Sequence, residues 1–142
     1  MRLIGFNFTK IQAEKTKERT DSIKFNSKIN IPSIEPLKTD LIKTKEDIVK
    51  INFNYILSYE PEFAKIELSG NMLVSLDSKL TKQVLKGFND KGTPDDFKIF
   101  VLNLILRKVN LKALEFEDEL NLPMHLPLIS LNKDNLKEKK TE

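Results

Sequence analysis

The sequence predicts an α+β domain: a four-stranded antiparallel sheet carrying a long helix, plus a short helix, on one face. Three observations lead there. Apolar and polar residues alternate from Ile48 to Leu76, the period of strands with one buried face. Two less regular alternating stretches precede this one, around Phe6 and Ile29. After Asp77 the apolar period becomes that of a helix and stays so through Ala113. With 142 residues, of which 39% are hydrophobic, the chain holds enough apolar material for one core and scarcely for two. Residues 1–131 therefore read as a single domain and 132–142 as a charged tail that frays.

The elements follow in order. From Leu3 to Lys15, Ile4, Phe6 and Phe8 share one phase and Ile11 and Ala13 the other, as in a strand with a bulge near Thr9-Lys10. The polar run Lys15 to Asp21 is a loop. Phe25, Ser27, Ile29 and Ile31 then alternate as far as Pro32 and Pro36, whose missing N–H groups predict the end of the second strand. Leu37 to Asp47 is a lysine-rich connection. In the hairpin, Val49, Ile51, Phe53, Tyr55, Leu57 and Tyr59 oppose Lys50, Asn52, Asn54 and Ser58, so one side of the sheet is wet. Pro61 between two glutamates turns the chain, and Ala64, Ile66, Leu68, Gly70, Met72, Val74 and Leu76 repeat the pattern. A straight strand from Ala64 to Leu76 would run about 40 Å at ~3.3 Å per residue, so a bend is expected, with Gly70 as its site. Phe53 is assigned to the core. For Tyr59, in the same phase as Tyr55 at the hairpin end, core packing and an aromatic floor facing a bound polypeptide both stay open.

Ser78 is the predicted cap of a short helix carrying Leu80, Val84, Leu85 and Phe88, closing near Gly87 or the Asn89 to Gly92 turn. The long helix is predicted to start with Thr93 as N-cap, Pro94 in the first position and Asp95-Asp96 on the positive end of the dipole. From Phe97 to Ala113 apolar residues spread well beyond one face of its wheel, leaving an arc that contains Asn103, Arg107 and Asn110. Packing on one sheet uses one face only. The second face calls for a partner subunit, another chain or a client, and Phe100, Leu102, Leu106 and Val109 are taken as the oligomer interface. The competing arrangement wraps the helix in the chain's own short helix and C-terminal segment. That segment, Asn121 to Leu131, is apolar with prolines at 123 and 127, which favour an extended path able to line a groove.

Several function classes drop out. Without cysteine there is no disulfide, thiol nucleophile or cysteine metal site, and a single histidine makes no metal cluster. No P-loop, Gly-x-Gly-x-x-Gly, Gly-x-Ser-x-Gly or His-Glu-x-x-His is present; no catalytic residue, metal or cofactor is assigned, and the chain is not read as an enzyme. His125 reads as a packing or surface histidine without a role. Glu115, Glu117, Asp118 and Glu119 read as a solvated acidic helix surface rather than a cation site. The net charge of +3, from 24 basic and 21 acidic residues, is nearly balanced. Lys15, Lys17, Arg19, Lys38, Lys43 and Lys45 could reach phosphates with Phe6 and Phe8 as stacking rings, but they interleave with acids and core burial already accounts for the phenylalanines. The start of the chain lacks a long apolar core and nothing approaches a membrane span, so a cytoplasmic protein without membrane insertion is expected.

The order of elements then resembles a known family. A bulged first strand beginning Ile4-Gly-Phe-Asn-Phe-Thr-Lys-Ile, a second strand reaching prolines, a hairpin ending Leu68-Ser-Gly-Asn-Met-Leu-Val, a long helix, and Leu122-Pro-Met-His-Leu-Pro-Leu-Ile are similar to the SecB-like export chaperones over nearly the whole chain. The resemblance implies a four-stranded sheet with two helices, assembled as a dimer of dimers with the helices sandwiched between sheets. It implies ATP-independent holding of non-native polypeptides in hydrophobic grooves, which keeps them competent for export or assembly. By position, Leu122 to Leu131 looks like the family's groove-lining loop. Leu122, Met124, Leu126 and Leu128 would then bind clients, joined by Phe25, Ile29 and Ile31 of the second strand. Family members meet a translocation motor or serve toxin-antitoxin pairs; the lysine-rich tail here departs from the acidic bacterial pattern, so motor binding does not carry over. Two other readings of the residues stand beside this one: a non-enzymatic oligomeric interaction module and a small RNA-binding domain.

Overall fold

The computed structural model describes residues 1–16, 22–37 and 46–135. β1 (Arg2–Lys15), β2 (Lys24–Leu37), β3 (Asp47–Glu60) and β4 (Ala64–Leu76) precede α1 (Ser78–Val84) and α2 (Asp95–Glu119). The strands form one antiparallel sheet in the order β1-β4-β3-β2. β3 and β4 are central, which is why their alternation is the cleanest in the chain: Val49, Ile51, Phe53, Tyr55, Leu57, Tyr59 and, opposite them, Ile66, Leu68, Met72 and Val74 are all buried on the face under α2. The other face is half-open and amide-rich. There Asn54 donates to Ser69 Oγ at 2.6 Å and Asn52 to Ser33 Oγ at 2.7 Å.

The edge strands depart from strict alternation. β1 slips register between Phe8 and Lys10, as predicted, and also between Leu3 and Gly5. With Ile4 taken up in that first irregularity, Leu3 and Phe6 share the core face and Ile4 is exposed. Phe6, Phe8 and Phe53 then cluster, with Phe6 5.3 Å from Phe8 and 5.2 Å from Phe53 between ring centres. These rings pack into the core rather than standing free for stacking. β2 does not stop at its prolines; pairing continues to Leu37 opposite Ile48. Pro32 lies inside the irregularity between Asn30 and Ser33, and an edge strand tolerates the missing donor of Pro36.

β4 keeps its register with β3 past Gly70, in keeping with the apolar phase that survives the glycine in the sequence. The glycine is needed for close approach: a Cβ there would lie 2.1 Å from the carbonyl oxygen of Asn7 on β1 and 3.0 Å from the Phe53 ring.

Both predicted helix caps move. Asp77, not Ser78, caps α1, its carboxylate accepting from Leu80 N at 2.7 Å. Thr93 is buried with its hydroxyl turned back to the Gly87 carbonyl at 2.6 Å, so Pro94 becomes the N-cap of α2 without a side-chain bond, and Asp95 and Asp96 occupy the first turn. α2 buries a stripe spaced by four: Phe97, Val101, Ile105, Val109, Ala113 and Glu117. Phe100, Leu104 and Phe116 flank it, partly covered by the chain's own core, whereas Ile99 and Leu111 are 56% and 61% exposed.

Candidate functional site

α2 ends in a sharp reversal that builds the site. Leu120 N donates to Phe116 O, Asn121 takes a left-handed φ of 54°, and Leu122 N returns to Glu117 O at 2.9 Å. This is the geometry of a Schellman turn, with asparagine standing where glycine is commonest and Pro123 preventing the helix from resuming. Leu122 drops into the core, and the chain runs back along the flank of α2.

A single buried carboxylate fastens this returning segment. Glu117 Oε2 accepts from the Tyr59 hydroxyl and from the backbone N–H of His125 at 2.9 Å, while Oε1 faces His125 Nδ1 at 2.7 Å. The other ring nitrogen of His125 meets Asn110 Oδ1 at 3.0 Å. Neither Glu117 nor His125 is open to water, their side chains being 0% and 7% exposed. A buried carboxylate needs several donors to compensate its lost hydration, and these three supply them. The same carboxylate acts on both tyrosines of β3. Burial first, and then the charge of Glu117, push the Tyr55 hydroxyl up to about 12. Tyr59 is driven higher still by burial, by its hydrogen bond to Glu117 and by that charge.

Against this anchored segment lies a groove of about 550 Å³, lined by Ser27 and Ile29 of β2, Tyr55 of β3, Leu102, Leu106 and Asn110 of α2, and His125 and Leu126 of the returning chain. Its walls are apolar and its base is polar. Ile29 stands directly opposite Tyr55 in the β2–β3 register, and Ser27 opposite Leu57, so both project onto the α2 side of the sheet. Past Leu126 the chain is open: Leu128 and Leu131 are largely exposed, and Ile129 fully so.

The predicted client-binding residues divide accordingly. Ile29 and Leu126 line the groove. Phe25 extends β2 beyond it, edge-on to Tyr59 at 5.3 Å and 38% exposed, while Met124 and Leu128 are exposed along the returning chain. Ile31 is half-buried in the β2 irregularity, and Leu122 is buried in the core. Of the residues predicted to form an oligomer interface, Leu102 and Leu106 line the same groove and Phe100 packs partly on the core. Val109 requires correction: it lies on the inward stripe of α2 with no exposed surface, so a partner subunit cannot touch it.

Two further readings change. Glu117 is not part of a solvated acidic surface; Glu115, Asp118 and Glu119 are exposed, and the four carboxylates do not converge. His125, assigned no role from sequence, holds the groove's wall to its base. The four-residue spacing from Phe97 lands on Glu117, and that arithmetic was the available signal for a buried acid. Tyr59 belongs to the core. Of the basic residues weighed for nucleic acid, Lys15 donates to the Leu120 carbonyl at 3.3 Å and sits over the Phe63 ring, whereas Lys17, Arg19, Lys38, Lys43 and Lys45 lie outside the described residues. So does the tail from residue 136 onward. Among the described residues no helix is long and apolar enough to cross a membrane.

The sheet order, the long helix on one face and the chain returning along its flank constitute a SecB-like fold. The likeness is to a solved structure of the Mycobacterium tuberculosis Rv1957 SecB-like chaperone in complex with a ChAD peptide from the Rv1956 HigA1 antitoxin. It covers 92% of this chain and 89% of that one at a TM-score of 0.53 and 11% sequence identity. No family model and no curated protein matches the sequence.

Proposed function

We propose that this protein is a chaperone that holds non-native polypeptide segments in the groove between β2, α2 and the returning chain. The observation that carries the reading is the groove itself, an open apolar trough whose lining includes Ile29, Leu102, Leu106 and Leu126. It continues into exposed apolar residues at Phe25, Met124 and Leu128. A monomeric protein rarely leaves so much apolar surface contiguous without a use for it. Leucine, isoleucine and methionine walls tolerate varied client side chains through many weak contacts, and β2, an outer strand of the sheet among the described residues, can add main-chain hydrogen bonds to an extended client. That a SecB-like chaperone of similar fold was solved with a peptide of an antitoxin supports the same use of the fold.

Holding needs no ATP in this scheme, since binding the unfolded chain is enough to slow its folding and aggregation. Ile99 and Leu111 on the outer face of α2 form the interface of a homo-oligomer, a dimer of dimers, in the cytoplasm. The clients are segments of exported proteins or an antitoxin. The test is light scattering from an aggregating client. Stoichiometric protein should suppress the signal without nucleotide, and no suppression at excess, with the protein folded and its assembly intact, would overturn the proposal.

A further inference from the structure

The returning chain does not stop at the groove. Beyond Leu126, which lines it, Leu128 is 57% exposed, Ile129 101% and Leu131 62%, and none of the three joins the core cluster. From Asn121 to Asn132 the sequence holds no Asp, Glu, Lys or Arg. Residues 127–131 form neither helix nor strand, and among the described residues their main chain makes no hydrogen bond to another backbone group. The stretch ends where Asn132 Oδ1 accepts from Asn135 N at 2.8 Å. Uncharged, with uncovered leucine and isoleucine and an unpaired backbone, it has the chemistry of the segments that the groove is shaped to hold.

We infer that Leu128 to Leu131 of one copy occupies the groove of a second copy, and that a client displaces it. The inference rests on the groove being the client site. The place where the segment starts selects a partner's groove over the chain's own. Glu117 holds both the main chain and the ring of His125, which fixes Leu126 on the wall, and Pro127 bars Leu126 from the helical backbone that a tight reversal would use. The segment therefore runs on past the mouth of the groove instead of doubling back. A two-fold axis at the mouth sets each copy's segment beside the other's groove, so one symmetric exchange fills both and closes the pair. Ile129 and Leu131 leave water in that exchange, and the unpaired main chain meets β2, an outer strand among the described residues. While clients are scarce the apolar walls stay covered; a client that binds the open groove draws the pair apart by mass action.

The experiment compares the full chain with its Ile129→Asp, Leu131→Asp variant, altered only at side chains that face water. The variant should keep the far-ultraviolet spectrum and show about half the mass of the unaltered protein, because the exchange joins copies in pairs. Its emptied groove should bind a labelled peptide of residues 126–135, and a reduced, carboxymethylated protein that stays unfolded should displace that peptide. The same peptide carrying the two aspartates should bind at least about ten-fold more weakly. Equal masses for the two proteins overturn the exchange, as does a peptide that fails to bind where the unfolded protein binds, or one that the unfolded protein cannot displace. A variant that unfolds shows the two side chains serving the chain's own core and overturns it as well. A folded variant that binds neither peptide nor unfolded protein overturns the groove reading itself.

Discussion

Removing the Glu117 carboxylate should be among the most damaging single changes in the chain. Glu117→Ala strips one acceptor from three buried donors: the Tyr59 hydroxyl, the His125 main chain and the His125 ring. Each stranded donor costs about 1–3 kcal/mol, and the three costs do not simply add because the donors share one acceptor. With relaxation of the returning segment, ~4 kcal/mol is expected, or a fall of roughly 10–15 °C in the thermal midpoint for a domain of this size. Circular dichroism at a fixed protein concentration measures it, because association would itself move the midpoint. Glu119→Ala, an exposed acid two residues on, is the control and should stay within about 0.5 kcal/mol. If the two variants melted together, the carboxylate would not be holding the segment, and His125 would lose its assigned part.

Both tyrosines titrate late because burial penalises the phenolate, so absorbance near 295 nm should show no phenolate in the native protein at pH 10 and a first rise near pH 12 from Tyr55. Their contribution to stability is whole below the unfolded value of 10.0 and is lost as pH climbs through the raised native values; phenolate at pH 10 in a folded sample would contradict this. Gly70→Ala places a methyl against Asn7 O and the Phe53 ring and should lower the urea midpoint by ~2–3 kcal/mol in stability with an unchanged slope. Ile105→Ala, on the buried stripe of α2, should cost about 2–5 kcal/mol in the same assay. Ile99→Lys combined with Leu111→Lys should leave the far-ultraviolet spectrum intact and reduce the mass in solution; a protein that is monomeric before substitution removes the oligomer from the proposal.

The central hairpin was legible because β3 and β4 have neighbours on both sides and one covered face, so each residue's phase fixes its burial. The edge strands were harder. Pro32 and Pro36 read as terminators, but an edge strand has unpaired positions where a missing N–H costs nothing, and neighbours in the sheet are not visible in sequence. Thr93 had the right chemistry for a cap and lost to tertiary context, since its hydroxyl serves the Gly87 carbonyl instead. Part of the groove's lining was also legible: Ile29 and Leu126 were assigned to a groove by resemblance, and both line this one. Leu102 and Leu106 were seen as surplus apolar surface without a destination. The polar base was not seen at all. Glu117 hid among acids that are exposed, and its partners lie 58 residues before it and 8 after, separations that no local period reports.

Methyl nuclear magnetic resonance during titration with an unfolded polypeptide tests the groove most directly. Shifts confined to Ile29, Leu102, Leu106 and Leu126, with Ile56 and Leu73 on the opposite face of the sheet unmoved, are expected. Perturbation centred on Ile56 and Leu73, or no change at saturating polypeptide, would contradict the assignment of the client site.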